Sequence, residues 1–217
     1  MSGAPAVHGW RPRQVWRAAA CLAVALASAT RAAAAAPPSR PDLVLIVVES
    51  LRADFTGCYG CPMPTTPVID ALASNGTRFA HAVASSSWTQ PSIATLFSSL
   101  LPERHGMNRH RQTIRGEAVM LASHLAAAGY QTVGIVANPM LHRCYGFARG
   151  FEIFDDYTIA QAPGGLGDAG ANAATQRASG ATVTRLAVSW LKRRDPARPL
   201  FLFLFYMDPH FDYLPPP

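Results

Sequence analysis

Thr89 lies where the sequence predicts the start of a helix, because Pro91 favours the backbone of a first helical turn. A hydroxyl at that position is close to free N–H groups and to the positive end of the helix dipole, which together attract an anion such as phosphate or sulfate. Threonine before a helix is also a common capping residue. Its position alone therefore leaves two interpretations open, an attacking hydroxyl and a helix cap.

Two further polar residues can complete a reaction centre around Thr89. Glu49 directly follows a continuous apolar run and offers carboxylate oxygens, which hard divalent cations prefer. A metal ion beside Thr89 would lower the pKa of the hydroxyl and polarise an ester oxygen, so Glu49 and Thr89 are the predicted metal ligands. His210 follows the last apolar run and can donate a proton to a leaving group. The ordinary alternatives are a solvated loop carboxylate and a surface histidine.

The pattern of apolar runs predicts the elements that position these residues. Residues 42–48 and 200–205 are continuous apolar runs typical of strands buried on both faces, and the first is expected at the centre of a parallel sheet. Residues 77–84 alternate like a strand, and residues 130–137 form another. Helices are predicted between them, over residues 67–75, 91–101, 117–128 and 174–193. This order predicts an α/β fold with a mostly parallel central sheet and helices on both faces.

In sheets of this kind, functional groups collect just beyond the carboxyl ends of the strands. Three polar clusters follow predicted strands, at residues 49–54, 85–89 and 208–210. Each cluster contains one of the three candidate residues. The sequence therefore predicts that a single site forms at this edge of the sheet.

The first forty residues differ in composition from the rest of the chain. Arginines precede the apolar run 18–29, and small residues follow it before Pro37. This order predicts a cleavable signal peptide over residues 1–36, a linker over 37–41 and one folded domain over 42–217. The apolar run is shorter than the roughly 20 residues that span a bilayer. We therefore expect export to the periplasm or the exterior, with membrane contact only through an uncleaved leader.

Charge and cysteine content narrow the range of functions. The net charge of +6 includes the arginines of the predicted leader, and no basic run is interleaved with aromatic residues. We therefore expect no nucleic-acid partner. Cys58 and Cys61 have the spacing of a redox pair or of half a zinc site, but no second pair completes a metal cluster. Ordinary loop cysteines are the favoured interpretation.

Three stretches of the chain resemble the sulfatases of the alkaline phosphatase superfamily. The first contains Leu45-Ile-Val-Val-Glu-Ser-Leu-Arg-Ala-Asp54, which is similar to the family's opening strand and metal-binding turn, where Asp is usual at the position of Glu49. The second contains Trp88-Thr-Gln-Pro-Ser92, which resembles the nucleophile segment. The third contains Asp208-Pro-His210, which is similar to a segment whose histidine lies on the substrate side.

The resemblance implies an alkaline phosphatase-like fold and a divalent metal ion, Ca²⁺ in a sulfatase-like site, with an anionic ester as substrate. That ester would be a sulfated or phosphorylated sugar, lipid or aryl group. Most sulfatases oxidise Cys or Ser to formylglycine, but Thr89 cannot form the same aldehyde, and Ile93 replaces the family's arginine. The resemblance therefore implies direct attack by the Thr89 hydroxyl through a covalent ester. Ser50 replaces a frequent second Asp ligand.

Three functions are compatible with these residues. The leading hypothesis is an exported, metal-dependent hydrolase of sulfate or phosphate esters. The alternatives are a phosphoryl transferase of the phosphoethanolamine type and a non-catalytic fragment or pseudoenzyme. Further metal ligands of the family lie beyond the position of Pro217. We therefore expect this chain to be a truncated N-terminal part that holds half of a metal site.

Overall fold

The computed structural model describes residues 40–109, 112–156 and 179–210. The predicted signal peptide lies outside these ranges, as do the last residues of the chain. The described residues from Pro41 onward belong to one compact unit. None of the helices in the described ranges is both long enough and apolar enough to cross a membrane.

Four parallel strands form one sheet, and they span Leu43–Val48 (β1), Gln131–Val136 (β2), Ile153–Asp155 (β3) and Leu200–Tyr206 (β4). Their order across the sheet is β1-β4-β2-β3. β4 therefore lies between β1 and β2, and its residues from Leu200 to Phe205 are all buried. A strand with neighbours on both sides and layers on both faces has no place for a polar side chain, which explains its continuous apolar sequence.

β1 lies at an edge of the described sheet, so the predicted central position of residues 42–48 is wrong. It pairs with β4, from Leu43 opposite Phe201 to Val48 opposite Tyr206. The side chains of Val44 and Ile46 are 56% and 53% exposed. The apolar run correctly predicted a strand, but the neighbours of a strand depend on pairing with distant parts of the chain.

The described residues contain five α-helices, at Pro67–Asn75 (α1), Thr89–Ser98 (α2), Pro102–His105 (α3), Leu121–Ala127 (α4) and Gly180–Leu191 (α5). Short 3₁₀ helices occupy Ala53–Phe55, Gly57–Tyr59, Pro139–Leu141 and Arg143–Tyr145. The strand predicted over residues 77–84 is absent, and these residues are all exposed. Alternation alone did not suffice there, because the segment has no partner strand and buries neither face.

Helices lie on both faces of the sheet, as the sequence predicts. Alternate side chains of β4 point to opposite faces. Phe203 packs edge-on against Phe97 of α2, with ring centroids 4.8 Å apart. Tyr206 points to the other face, where its hydroxyl lies 3.0 Å from the Thr184 hydroxyl of α5. The sheet is thus a parallel layer between α2 on one side and α5 on the other.

Packing of α2 determines where Thr89 lies. Ile93, Ala94 and Phe97 are buried against the sheet, with exposed fractions of 6%, 0% and 3%. Full burial of a large apolar side chain such as Phe97 stabilises the fold by about 1.5–3 kcal/mol. These contacts hold the axis of α2, so the first residue of the helix has a fixed place relative to the ends of β1 and β4.

Candidate active site

Glu49 and Thr89 meet at the carboxyl edge of the sheet. Glu49 follows β1 directly, and its backbone N–H donates to the carbonyl oxygen of Tyr206 at 2.9 Å, which continues the pairing with β4. Thr89 is the first residue of α2, and its Oγ1 donates a hydrogen bond to Glu49 Oε1. The fold therefore brings together the two residues that the sequence proposes as nucleophile and metal ligands.

Thr89 does not cap the helix that it begins. Trp88 occupies the N-cap position in an extended conformation and makes no side-chain cap hydrogen bond, and α2 begins two residues before Pro91. The capping interpretation of Thr89 is therefore wrong, and its hydroxyl is directed to Glu49 instead. The first turn of α2 also contains no acidic residue. Neither a capping side chain nor a carboxylate in this turn neutralises the positive end of its dipole, which is suited to an anion.

Asn138 is a third member of the site, and the sequence analysis missed it. It lies two residues after β2, is 3% exposed, and its Nδ2 donates to Glu49 Oε2 at 2.6 Å. Its Oδ1 accepts a hydrogen bond from the N–H of Met140 at 2.8 Å and so caps the 3₁₀ helix that Pro139 begins. The signal was the same as for Glu49, a polar residue just beyond a buried strand. It was overlooked because Asn138 does not belong to a polar cluster.

A cavity of about 340 Å³ opens beside Glu49 and Thr89. Its other lining residues include Val47, Ser50, Ser87, Ser92, Ile93 and Phe205. Serine hydroxyls can donate hydrogen bonds to the oxygens of an anion. Ser50 has a φ of 59°, in the left-handed region that residues other than glycine rarely adopt. The chain therefore turns sharply directly after Glu49, next to the cavity.

His210 lies in the turn that follows β4, where its backbone N–H donates to the carbonyl oxygen of Met207 at 2.9 Å. Asp208 anchors this turn, because its Oδ1 accepts a hydrogen bond from the N–H of Gly180 at 3.0 Å. Among the described residues, His210 is not part of the lining of the cavity beside Thr89. The structure thus places His210 at the correct edge of the sheet, and its contact with a leaving group stays a prediction.

The side chains of Glu49 and Thr89 offer oxygen atoms, the type of ligand that a hard divalent cation prefers. The carboxylate of Glu49 and the hydroxyl of Thr89 are oxygen ligands of the type that Ca²⁺ takes, in a shell of about six to eight oxygens. Asn138 turns its amide nitrogen toward Glu49, and its oxygen is used by Met140. Within the described ranges, no group of three or more His, Cys, Asp or Glu residues is arranged to hold a metal. Glu49 and Thr89 are thus oxygen donors of a suitable kind, and their role as metal ligands stays a prediction.

His105 forms hydrogen bonds with α2 and with the segment that follows α3. It is fully buried, its Nε2 lies 3.0 Å from the Thr95 hydroxyl, and its Nδ1 accepts a hydrogen bond from the N–H of Met107 at 3.1 Å. Burial lowers the pKa of His105, so the neutral imidazole is favoured in the folded protein. This residue therefore links α2 to the segment after α3, which is a structural role.

The family model described as Sulfatase matches residues 41–217. The chain belongs to the sulfatase family. It is 24% identical over 186 residues to the N-acetylglucosamine-6-O-sulfatase of Bacteroides thetaiotaomicron, in an alignment that covers 82% of this chain and 32% of that sulfatase. The chain thus spans about a third of the length of this relative.

Two solved structures show the same fold. One, in complex with its substrate D-glucosamine-2-N,6-O-disulfate, has a TM-score of 0.67 and 20% identity, and the match covers 82% of this chain and 36% of that one. The other is a protein of the alkaline phosphatase superfamily from Vibrio parahaemolyticus, with a TM-score of 0.60 and 22% identity over 83% and 43% of the two chains. These matches confirm the predicted alkaline phosphatase-like fold.

Proposed function

We propose that the full-length protein hydrolyses sulfate or phosphate esters with the aid of a divalent metal ion, and that Thr89 is the nucleophile. The observation that supports this most directly is the hydrogen bond from Thr89 Oγ1 to Glu49 Oε1 at the uncapped start of α2. It puts an attacking group, a hard oxygen ligand and a favourable place for an anion within one small region. Membership of the sulfatase family supplies the reaction class.

The proposed substrate is an anionic ester on a sugar, a lipid or an aryl group. A sulfate or phosphate would lie in the cavity beside Thr89, near the positive end of the α2 dipole. Sulfated sugars are the first substrates to test, because the bacterial relative is an N-acetylglucosamine-6-O-sulfatase and one of the solved structures holds a disulfated glucosamine.

Glu49 and Thr89 would hold the metal, for which Ca²⁺ is the proposed ion; its charge would lower the pKa of the hydroxyl and polarise the ester oxygen. In the first step, Thr89 Oγ1 forms a bond to the sulfur or phosphorus, and the bond to the leaving-group oxygen breaks. Glu49 Oε1, which accepts the hydrogen bond of this hydroxyl in the structure, would take the proton that Thr89 loses. His210 would give a proton to the leaving group, and water would then hydrolyse the ester on Thr89.

This route differs from the formylglycine route of most sulfatases. Threonine carries a methyl group on Cβ, so oxidation of Thr89 does not give the same aldehyde. Ile93 is 6% exposed and packs in the core, where it offers no guanidinium to an anion. We therefore propose direct attack and a covalent sulfo- or phosphothreonine. We also propose that the protein is exported to the periplasm or secreted, on the basis of the residues that precede Pro37.

Thr89→Ala tests the nucleophile in the full-length protein. We expect turnover of aryl sulfates and aryl phosphates to fall by about three orders of magnitude or more, because the attacking atom is lost. Thr89→Ser should retain measurable activity. Thr184→Ala is the control, since Thr184 is a helical threonine on the opposite face of the sheet. Unchanged turnover in Thr89→Ala would exclude this mechanism.

The fate of the substrate separates hydrolysis from transfer. With a substrate labelled in the sulfuryl or phosphoryl group, a hydrolase releases the label as inorganic sulfate or phosphate. Label on a lipid or glycan acceptor would instead identify a transferase. Mass spectrometry of a quenched reaction should find the covalent group on the peptide that contains Thr89, and it should be absent from Thr89→Ala.

A further inference from the structure

Glu49 and Thr89 are connected by a second route, which runs through two amide side chains and the backbone of Met140. Asn138 Nδ2 donates to Glu49 Oε2 at 2.6 Å, and Asn138 Oδ1 accepts from the Met140 N–H at 2.8 Å. Gln90 Nε2 donates to the Met140 carbonyl oxygen at 3.0 Å, and Gln90 adjoins Thr89 in α2. Together with the hydrogen bond from Thr89 to Glu49, these contacts form a closed ring.

The two amides of this ring are buried. Gln90 is 0% exposed and Asn138 is 3% exposed, so water does not compete for their hydrogen bonds. Gln90 Oε1 is buried without a hydrogen-bond partner among the described residues. A buried acceptor without a partner costs free energy, so Gln90 is a poor choice for stability alone. The contribution of Gln90 is therefore its NH₂ group, which donates a hydrogen bond to the Met140 carbonyl oxygen.

We propose that Asn138 and Gln90 are positioning residues for the Glu49–Thr89 pair, a role that rests on the proposed function. A glutamate has several rotatable bonds, and ordering them at each binding event would cost side-chain entropy. Asn138 fixes Oε2 of the carboxylate and leaves Oε1 directed toward Thr89. Gln90 ties the first turn of α2 to the segment that carries Asn138. The ring thereby presets the distance between carboxylate and hydroxyl, as a metal and substrate site requires.

The ring can be opened at either amide by a single substitution. Asn138→Ser keeps a side-chain oxygen that can cap the Met140 N–H, but serine is too short to reach Glu49. Gln90→Met preserves the length of the side chain and removes its NH₂ group. These two variants break different hydrogen bonds of the same ring.

Gln131→Met is the matched control. Gln131 is 6% exposed and donates from Nε2 to the backbone carbonyl of Asp195 at 2.7 Å, as Gln90 donates to Met140, and its Oε1 also accepts from the Asp195 N–H at 3.4 Å. It lies at the start of β2, at the end of the strand opposite to Asn138. A loss that comes only from unpaired backbone groups should therefore be at least as large in Gln131→Met as in Gln90→Met.

The experiment measures Ca²⁺ binding by calorimetry, steady-state kinetics on an aryl sulfate and thermal unfolding, all on the full-length protein. We expect Asn138→Ser and Gln90→Met each to weaken Ca²⁺ binding and lower kcat by about 10- to 100-fold, with KM changed less than about twofold, as for other residues that orient a metal ligand. Gln131→Met should lower the Tm at least as much as Gln90→Met and leave Ca²⁺ affinity and kcat within about twofold.

The double variant Asn138→Ser/Gln90→Met gives a second, independent measurement. Since either change opens the ring, the double variant should bind Ca²⁺ no more weakly than the single variant with the lower Ca²⁺ affinity. If the fold-losses in Ca²⁺ affinity of the two single variants multiply in the double variant, the two amides do not act through one ring, and this would contradict the proposal. Ca²⁺ affinity and kcat equal to those of Gln131→Met would overturn the positioning role, even where Thr89→Ala is inactive. Full activity of Thr89→Ala would instead contradict the proposed function itself.

Discussion

Glu49 and Asp156 are two carboxylates at the same edge of the sheet, and the structure treats them in opposite ways. Each follows a strand directly, Glu49 after β1 and Asp156 after β3. Asp156 is 1% exposed and accepts from the Arg143 guanidinium at 2.6 Å, and it also lies 3.4 Å from His142 Nε2. Glu49 accepts hydrogen bonds from the neutral side chains of Thr89 and Asn138. In the described ranges, it forms no ion pair with a basic residue.

The difference shows how a structural carboxylate can be told from one that is free to bind a cation. Burial by itself would raise the pKa of Asp156, but the hydrogen bonds from Arg143 outweigh it and hold the pKa below its ordinary value. The charge of Asp156 is thus already compensated inside the protein. Each carboxylate oxygen of Glu49 accepts one hydrogen bond from a neutral group, which leaves further lone pairs for a cation and the charge of the carboxylate uncompensated by these contacts.

The largest effect on stability that this comparison predicts is that of Asp156→Asn. The Asp156 side chain is 1% exposed, but that of Arg143 is 41% exposed, so the arginine charge stays hydrated in the variant. The loss of charged hydrogen bonds should therefore lower the free energy of unfolding by about 1.5–3 kcal/mol. Glu49→Gln, measured without metal, should change it by less than about 1 kcal/mol, because only hydrogen bonds with neutral groups are altered. Urea unfolding of the two variants measures both values.

Asp156→Asn should lose more stability than Glu49→Gln, but Glu49→Gln should lose more Ca²⁺ affinity than Asp156→Asn. Glu49→Gln should weaken binding by at least about tenfold, since a neutral amide replaces a charged ligand. Asp156→Asn should leave the affinity unchanged in the fraction that is folded. If both variants lose the same stability or the same Ca²⁺ affinity, the distinction between a structural and a cation-binding carboxylate is wrong.

The next prediction concerns the stability of the fold in acid. The folded pKa of Asp156 is lowered, so its stabilisation is complete above the pKa of an unfolded aspartate, about 4, and is lost as the pH falls through the lower folded value. The difference in unfolding free energy between the wild type and Asp156→Asn should therefore be constant above about pH 5 and narrow below about pH 4. Urea titrations across this range test it. A gap that is unchanged at about pH 2 would contradict the assignment.

The smallest predicted effect concerns His105, a buried group that is held neutral. Its folded pKa is lowered by burial, so its stabilisation is present above the pKa of an unfolded histidine, about 6.5, and is lost as the pH falls below it. The loss is limited to about 1.4 kcal/mol per pH unit. His105→Gln should remove this slope between about pH 6.5 and 5, measured as the Tm against pH. An identical slope in both proteins would show that other groups cause it.

The sequence predicted the elements well wherever local rules decide them. Pro67 occupies the first position of α1, and the continuous run from Leu200 to Phe205 forms a buried strand, since backbone preference and apolar burial both act locally there. The edge position of β1 and the absence of a strand at residues 77–84 could not be predicted in the same way. Both depend on which distant segments pair, and a single apolar pattern does not contain that information.

The site was predictable in part. The rule that polar residues gather beyond strand ends identified Glu49, and the helix start identified Thr89, although the strand assumed before Thr89 does not exist. Asn138 obeys the same rule but was hidden by its apolar neighbours. Gln90 was not predictable, because its burial depends on the rotation of α2 about its axis, which only the packed structure fixes.

β4 is the last described strand in the sequence, yet it lies between β1 and β2. The N–H of Leu200 donates to Asp42 Oδ1 across a sequence separation of 158 residues. As the chain emerges with its N-terminus first, β1 has no described strand to pair with until β4 appears. Such non-local pairing slows folding and leaves the apolar side chains of β1 exposed to wrong partners in the meantime. Glu49 is thus made early, but the strand that holds it gains its described partner only after β4 is made.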